Sequence, residues 1–461
     1  MTDITYVVRK GALEGRLPVR ELARSCVGAC ALAAAELGAR RAGLAKVPGV
    51  RVDDGAVATA FVSERHLLVD GRVPVTFAPL SRFWRTADGW VRTHANYPHH
   101  RARLLAALRV REDERAVTAV EAALAERSAL EAEEAVYAAG GLAVALRTPE
   151  EWAAHEQGAA VAGRPLVERE RLDSARARAL PPIDTAPSAP ASASALLPAA
   201  GVRVLDLTRV IAGPVATRTL ALLGAEVLRV DAPRLPELPD QHADTGFGKR
   251  STTLDLVADR RAFEELLAAA DVVVTGYRPG ALDRFGLSAQ ALAERRPGVV
   301  VAQLSAWGGY GPWGGRRGFD SLVQVATGIA AVEGSAEEPG ALPAQALDHG
   351  TGYLLAAAVL RALAEQSDEG GSRVVRLALA RTARWLMDGV GTGGPEGVPD
   401  AGSGVGGVEG APYDGPGSWL AETDSGLGRL RYAMSPVFFE GGPVDWARPP
   451  GPWGADAPRW S

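Results

Sequence analysis

The sequence predicts an α/β fold, a doubly wound parallel sheet with a smaller α+β domain attached. Three observations carry this. Between 201 and 388, short apolar runs alternate with helical segments of about 10–15 residues, the pattern of parallel βαβ units. Two stretches that cannot bury a core, Leu180–Ala200 and Gly389–Gly417, divide the chain. The segment Arg82–His94, RFWRTADGWVRTH, reads as a hairpin outside the βαβ region.

Taken in order, residues 1–70 predict a helix and a strand. Cys26 and Cys30 sit there at helical i, i+4 spacing in an Ala-rich run and read as small core residues. Two cysteines exclude a disulfide framework. Residues 71–179 predict the α+β unit. The hairpin turns at Ala87-Asp88-Gly89, and helices follow. Ser128–Glu131 and Thr148–Glu151 both carry the capping-box spacing, with Pro149 at the favoured first helical position. Residues 180–200 read as a Pro/Ala/Ser linker. In 201–388 the expected strands are Val202–Leu207, Glu226–Val230, Asp271–Thr275 and Gly298–Leu304. The expected helices are Pro214–Leu223, Arg260–Ala270 and Ser288–Arg295. Residues 389–417, dominated by Gly, read as a long loop or a disordered segment. Residues 418–461 form a C-terminal segment.

The bulk numbers set limits. A chain of 461 residues predicts two or more domains, and a net charge of −5 with no long basic run gives no sign of nucleic-acid binding. No apolar run approaches the roughly 20 residues that span a bilayer, so no membrane association and a reducing cytoplasm are expected. No G-x-G-x-x-G follows Val202–Leu207, which weakens a nicotinamide-binding reading. His94, His99 and His100 are clustered without a cysteine. Metal binding would need further ligands, so no metal is expected and the cluster reads as polar residues beside a channel.

VRVLDLTRVIAGPVATRTLALLGAEVLRVD, GKRSTTLDL, GYRPGALDRFG, SAWGGYGPWGGRRGFDSLVQVATG and AQALDHGTGYLLAAAVLRAL, in this order and spacing, resemble the family III CoA-transferases. That group includes formyl-CoA transferase, carnitine CoA-transferase and α-methylacyl-CoA racemase. FWRTADGWVRTHANYPHHRARLLAALRV resembles the family's small domain, and 418–461 its C-terminal return segment. The resemblance implies an enzyme that moves CoA between an acyl-CoA and a free carboxylic acid through an aspartyl anhydride and thioester. CoA esters would be substrates, with no tightly bound cofactor. The alternatives are an acyl-CoA racemase or isomerase on the same scaffold, and a non-catalytic CoA-ester-binding protein.

By the resemblance Asp348 is the nucleophile. It precedes His349-Gly350-Thr351-Gly352 and an apolar helix, where free backbone N–H groups favour an anion and would keep it ionised. An N-cap role is the plain alternative. Asp320, 28 residues earlier (348 − 320), and His349 are accessory candidates. The motifs carry CoA-binding positions onto Val210, Ala212, Leu254, Asp255, Tyr277, Arg278, Arg284 and Arg317. Lys249 and Arg250 either steer phosphate or pair with the sheet. Three departures stand out: Ala232 replaces a basic residue expected after the second strand, Phe319 replaces the racemase histidine, and the glycine-rich loop of formyl-CoA transferase has no match.

The family's small domain follows the large one, whereas here it precedes it. A weak internal repeat fits this inversion. Leu17–Arg40 parallels Leu342–Glu365 at an offset of 325 (342 − 17), and VRVDDGAVATAF parallels SRVVRLALARTA at 322 (373 − 51). The chain then reads as two fused, truncated copies, with Ala23 opposite Asp348 and one active site per chain. Family members form interlocked dimers, so an intrachain pseudo-dimer or a homodimer is expected.

Overall fold

The computed structural model describes residues 4–183, 195–335, 337–391, 394 and 407–461. It is a mixed α/β structure built on a seven-stranded sheet. The strands lie in the order Arg250–Thr253, Glu226–Asp231, Arg203–Leu207, Val272–Thr275, Val300–Ser305, Arg373–Ala378 and Glu168–Arg171. The first six are parallel. The last comes from the segment assigned by sequence to the small unit, and it closes the edge antiparallel.

The central strands are apolar throughout because both faces are buried. Val204, Val272, Val274 and Val300 enter the larger core, while Leu205, Val273 and Val301 enter a second core on the opposite face. Observed boundaries fall within two residues of those expected, and Ser288 caps its helix through Ala291 N–H.

Three small sheets complete the fold. Phe83–Arg85, Trp90–Thr93 and Ala143–Ala145 form an antiparallel sheet that contains the expected hairpin. Both capping boxes form, at Ser128 and at Thr148. Leu68–Val69 pairs with the hairpin Leu420–Ser425/Gly428–Ala433, tying the front of the chain to its tail. Ile4–Val8 lies parallel to both Val50–Asp53 and Gly407–Glu409.

That last pairing corrects the expectation of a structureless loop over 389–417. The end of the segment is a strand, and Tyr413 N–H then bonds Lys10 O at 2.8 Å. Residues 392–393 and 395–406 of that segment, and 184–194 of the linker, lie outside the described residues.

Two long helices organise the interior. Val19–Arg41 packs along Ala346–Glu369, whose other side packs on Ala212–Leu222. Val19–Arg41 corrects a second expectation. It is long and apolar enough to cross a membrane by length and composition, and its residues are almost all buried within the protein. Both helices carry runs of alanine and two glycines each, so the backbones approach closely. A Cβ on Gly352 would stand 2.6 Å from Ala212 O and 2.9 Å from Val215 Cβ. A Cβ on Gly350 would meet Cys26 Sγ at 3.2 Å and Leu22 at 3.6 Å, which can yield.

The two glycines should therefore respond differently. Gly352→Ala is expected to lower unfolding free energy by about 2–3 kcal/mol through overpacking. Gly350→Ala should be within about 1 kcal/mol of wild type, since helix propensity offsets a mild contact. Urea melts of the two variants check this.

Candidate active site

In the parallel part of the sheet, strand order reverses between Arg203–Leu207 and Val272–Thr275. Crevices for ligands open at the carboxyl ends of strands at such a point. A cavity of about 650 Å³ lies there, within the usual range for small-molecule sites. The turns after both strands line it, with Arg209 and Val210 from one and Gly276, Tyr277 and Arg278 from the other. Val210 has φ +72°, an uncommon conformation for a β-branched residue. Its N–H is held by Glu237 Oε2 at 3.0 Å.

All eight positions carried over by motif, Val210, Ala212, Leu254, Asp255, Tyr277, Arg278, Arg284 and Arg317, line this cavity together with Asp348. Arg278, Arg284 and Arg317 are exposed, and Arg284 stacks on Phe285 at 4.6 Å. Burial, and after it the charges of Arg278 and Arg103, hold Arg317 below the usual guanidinium range. Crowded cations are what an anionic ligand relieves. Arg234 also lines the cavity, two residues beyond Ala232, so a basic side chain does follow the second strand. Sequence reading also missed Arg209 and Arg103, although Arg209 stands directly beside Val210 in the motif.

Lys249 and Arg250 do not line this cavity. Lys249 Nζ is buried and bonds Asp206 Oδ2 and Pro214 O, each at 3.0 Å, and burial lowers its pKa to about 8. Arg250 pairs with Glu226 and bonds the carbonyls of Ala457 and Arg459. Pairing with the sheet is therefore what they do.

Asp348 lies in the first turn of Ala346–Glu369 and is not its N-cap, which is Gln345. Asp320 does the capping instead. It opens the helix Asp320–Ala326, and its Oδ2 accepts the Asp348 N–H at 2.9 Å, while Gln324 bonds Oδ1. The expectation that the helix terminus keeps Asp348 ionised is not met. Burial, then the charges of Asp320 and Glu64, push its carboxyl well above the usual range. Burial also raises Asp320, to about 6. Two buried carboxyls this close disfavour double ionisation.

His349 lies in neither cavity. It is fully buried, stacks on Phe61 at 5.4 Å, and its Nε2 meets Glu64 Oε2 at 3.3 Å. Glu64 comes from the short front helix Ser63–His66 and had no motif to reveal it.

A second cavity, of about 210 Å³, also adjoins Asp348. Glu64, Asp320 and Asp348 line it, as does His94, whose ring stacks on Phe319 at 3.7 Å with 4° between planes. Val210, Phe319 and Asp348 line both cavities. His99 and His100 line the larger one, and burial lowers His94 to about 3 and His100 to about 2, so both rings are neutral. Among the described residues no cluster of His, Cys, Asp or Glu could hold a metal ion.

Asp320→Asn keeps a hydrogen-bond acceptor for the Asp348 N–H and removes the neighbouring negative charge. The pKa of Asp348 should fall. Asp348 is ionised only at the high-pH side of its titration, so any rate that needs its carboxylate should rise with pH in wild type. In Asp320→Asn that rise should come at lower pH, which a pH–rate profile reads directly.

Residues 199–414 match the family model of CoA-transferase family III. The chain is 37% identical over 215 residues to the acetyl-coenzyme A transferase nodX of Hypoxylon pulicicidum, covering 45% of this chain and 36% of that protein. It is 37% identical over 209 residues to the probable fatty acyl-CoA transferase Rv3272 of Mycobacterium tuberculosis, covering 41% and 52%. It is 34% identical over 193 residues to the formyl-CoA:oxalate CoA-transferase of Streptomyces coelicolor, covering 39% and 47%. The chain thus spans about half, or less, of the length of these curated relatives. A crystal structure of the Mycobacterium tuberculosis protein matches at 36% identity and TM-score 0.39, over 41% of this chain and 57% of that one. Over residues 199–414, the chain is similar to CoA-transferase family III.

Proposed function

We propose that this protein is an acyl-CoA:carboxylate CoA-transferase in which Asp348 is the nucleophile. One observation carries the reading: Asp348 lines both cavities, the arginine-rich one suited to CoA and the smaller one suited to an acyl group. An Asp348 oxygen attacks the thioester carbonyl, the C–S bond breaks, and CoA leaves as its thiolate. The resulting mixed anhydride is attacked at the Asp348 carbonyl by that thiolate. This forms an aspartyl-CoA thioester and releases the donor acid, which carries away one Asp348 oxygen. The acceptor carboxylate then reverses the sequence and takes the CoA. Asp320 accepts a backbone N–H from the nucleophile's own helix and positions it. The raised Asp348 carboxyl attacks in its ionised form, its proton having passed to solvent.

Arg278, Arg284 and Arg317 would bind the CoA phosphates, with Val210, Ala212, Leu254, Asp255 and Tyr277 shaping the rest of that cavity. We read the large sheet as the family's doubly wound domain and the unit around Phe83–Ala145 as its small domain. The chain is then two fused, truncated copies. Each long buried helix is followed by a strand and a helix, Val50–Asp53 with Asp54–Ala60 in one half and Arg373–Ala378 with Leu379–Met387 in the other. In this reading residues of the front half complete the site within one chain, in a cytoplasmic enzyme.

A second reading has one observation in its favour. The His94 imidazole lies against Phe319, where the racemase branch carries its histidine. An isomerase would exchange the α-proton of an acyl-CoA with solvent and form no covalent adduct.

Incubation with acyl-CoA donors, trapping with hydroxylamine and mass spectrometry of the Asp348 peptide should give an adduct that Asp348→Ala lacks. Tight CoA-ester binding with no adduct would favour a binding protein. Arg284→Ala and Arg317→Ala should each weaken CoA-ester binding about tenfold, or ~1.4 kcal/mol. The loss should shrink at high salt, as read by titration calorimetry.

A further inference from the structure

We infer that the smaller cavity takes a short, uncharged acyl group, its length limited by the strap Pro74–Ala78, which Asp240 ties down. This rests on the transferase reading for what occupies the cavity, and goes beyond it in naming the substrate class and what sets it.

The size comes first. About 210 Å³ lies below the ~300–1,000 Å³ of ordinary ligand sites. An acyl chain of a few carbons fills this space, and a medium or long chain does not.

The strap explains the limit. After Leu68–Val69 the chain turns through Asp70 (φ +49°) and Gly71 (φ +79°), then runs without helix or strand along the cavity. Five consecutive residues, Pro74 to Ala78, form the wall. It is one chain thick, since Val75 also faces solvent, 72% exposed. It is fastened at both ends. At one end the Arg72 guanidinium pairs with both oxygens of Asp240, and Val75 N–H bonds Asp240 Oδ2 at 3.2 Å. At the other, Asn96 accepts the Ala78 N–H at 3.0 Å and donates to Thr76 O at 3.1 Å. Buried His94 and the Phe319 ring stacked on it also line the cavity.

Charge sets the second limit. Glu64, Asp240, Asp320 and Asp348 all line this small space. Among the described residues Arg65 is its one cationic lining side chain, and it is engaged by Glu64 at 3.6 Å and Pro343 O at 3.0 Å. A second carboxylate on the acyl group would enter among acids, with the nearest cation already engaged.

The test measures affinity of the full chain for free CoA and for acetyl-, butyryl-, succinyl- and octanoyl-CoA by calorimetry, which needs no turnover. Butyryl-CoA should bind at least about tenfold more tightly than either succinyl- or octanoyl-CoA. Arg72→Ala removes a half-exposed side chain. It should narrow the butyryl-to-octanoyl ratio about tenfold, and Asp240→Asn should narrow it in the same direction. Three results would overturn the inference while leaving the transferase reading intact: octanoyl-CoA binding as tightly as butyryl-CoA, a ratio unchanged in both variants, or succinyl-CoA preferred. Failure to bind even free CoA would remove the transferase reading, and this inference with it.

Discussion

The packing of Val19–Arg41 against Ala346–Glu369 is the constraint on which the rest depends. It fixes the front of the chain onto the face of the large sheet. From there the following segment delivers Glu64 and Arg65 to the cavity at Asp348. Small residues at the contact make the approach possible, and on the opposite side Gly352 admits the carbonyl of Ala212. Buried apolar area of this extent dominates the energetics. Polar groups that share the interior are paired instead: Arg24 with Asp54, and Arg218 with Asp244 and Ser63. The Arg218 network holds Ser63, and so the turn that carries Glu64.

A tension in the electrostatics follows from this arrangement. The helix start favours an anion at Asp348, but full burial and two nearby carboxylates oppose it, and the opposition wins. The surrounding charges then divide by location. Arginines gather in the larger cavity and acids in the smaller one, with Asp348 between them. A CoA ester lying across the boundary would have its phosphates among cations and its thioester carbonyl beside the carboxyl. The same division makes the acidic cavity unsuited to a second negative charge.

Much of this was legible in the sequence, and the reasons differ by residue. The strand Val272–Thr275 is a β-branched run between helices, which only a strand buried on both faces explains. Ser128 and Thr148 announce their helices because capping is local chemistry. The motif positions from Val210 to Arg317 converge on one cavity because turns at the strand ends bring them there. Glu64, Arg65 and the 74–78 strap were not legible, since they reach the site through packing between segments about 280 residues apart. The ionisation of Asp348 was misjudged for a related reason: its helix position is local, whereas its burial and its acidic neighbours are tertiary. The apolar length of Val19–Arg41 was overlooked because its serine, cysteines and two internal charges break the run, and only the fold shows it as wholly interior.

A nucleophilic Asp348 exchanges an oxygen with each acid it serves. Turnover with an ¹⁸O-labelled acceptor acid tests this most directly. The expected result is one heavy oxygen from the acceptor in the Asp348 carboxyl, found by mass spectrometry of that peptide, as CoA passes to the acceptor. Formation of the new CoA ester with no label at Asp348 would contradict a nucleophilic role for this residue.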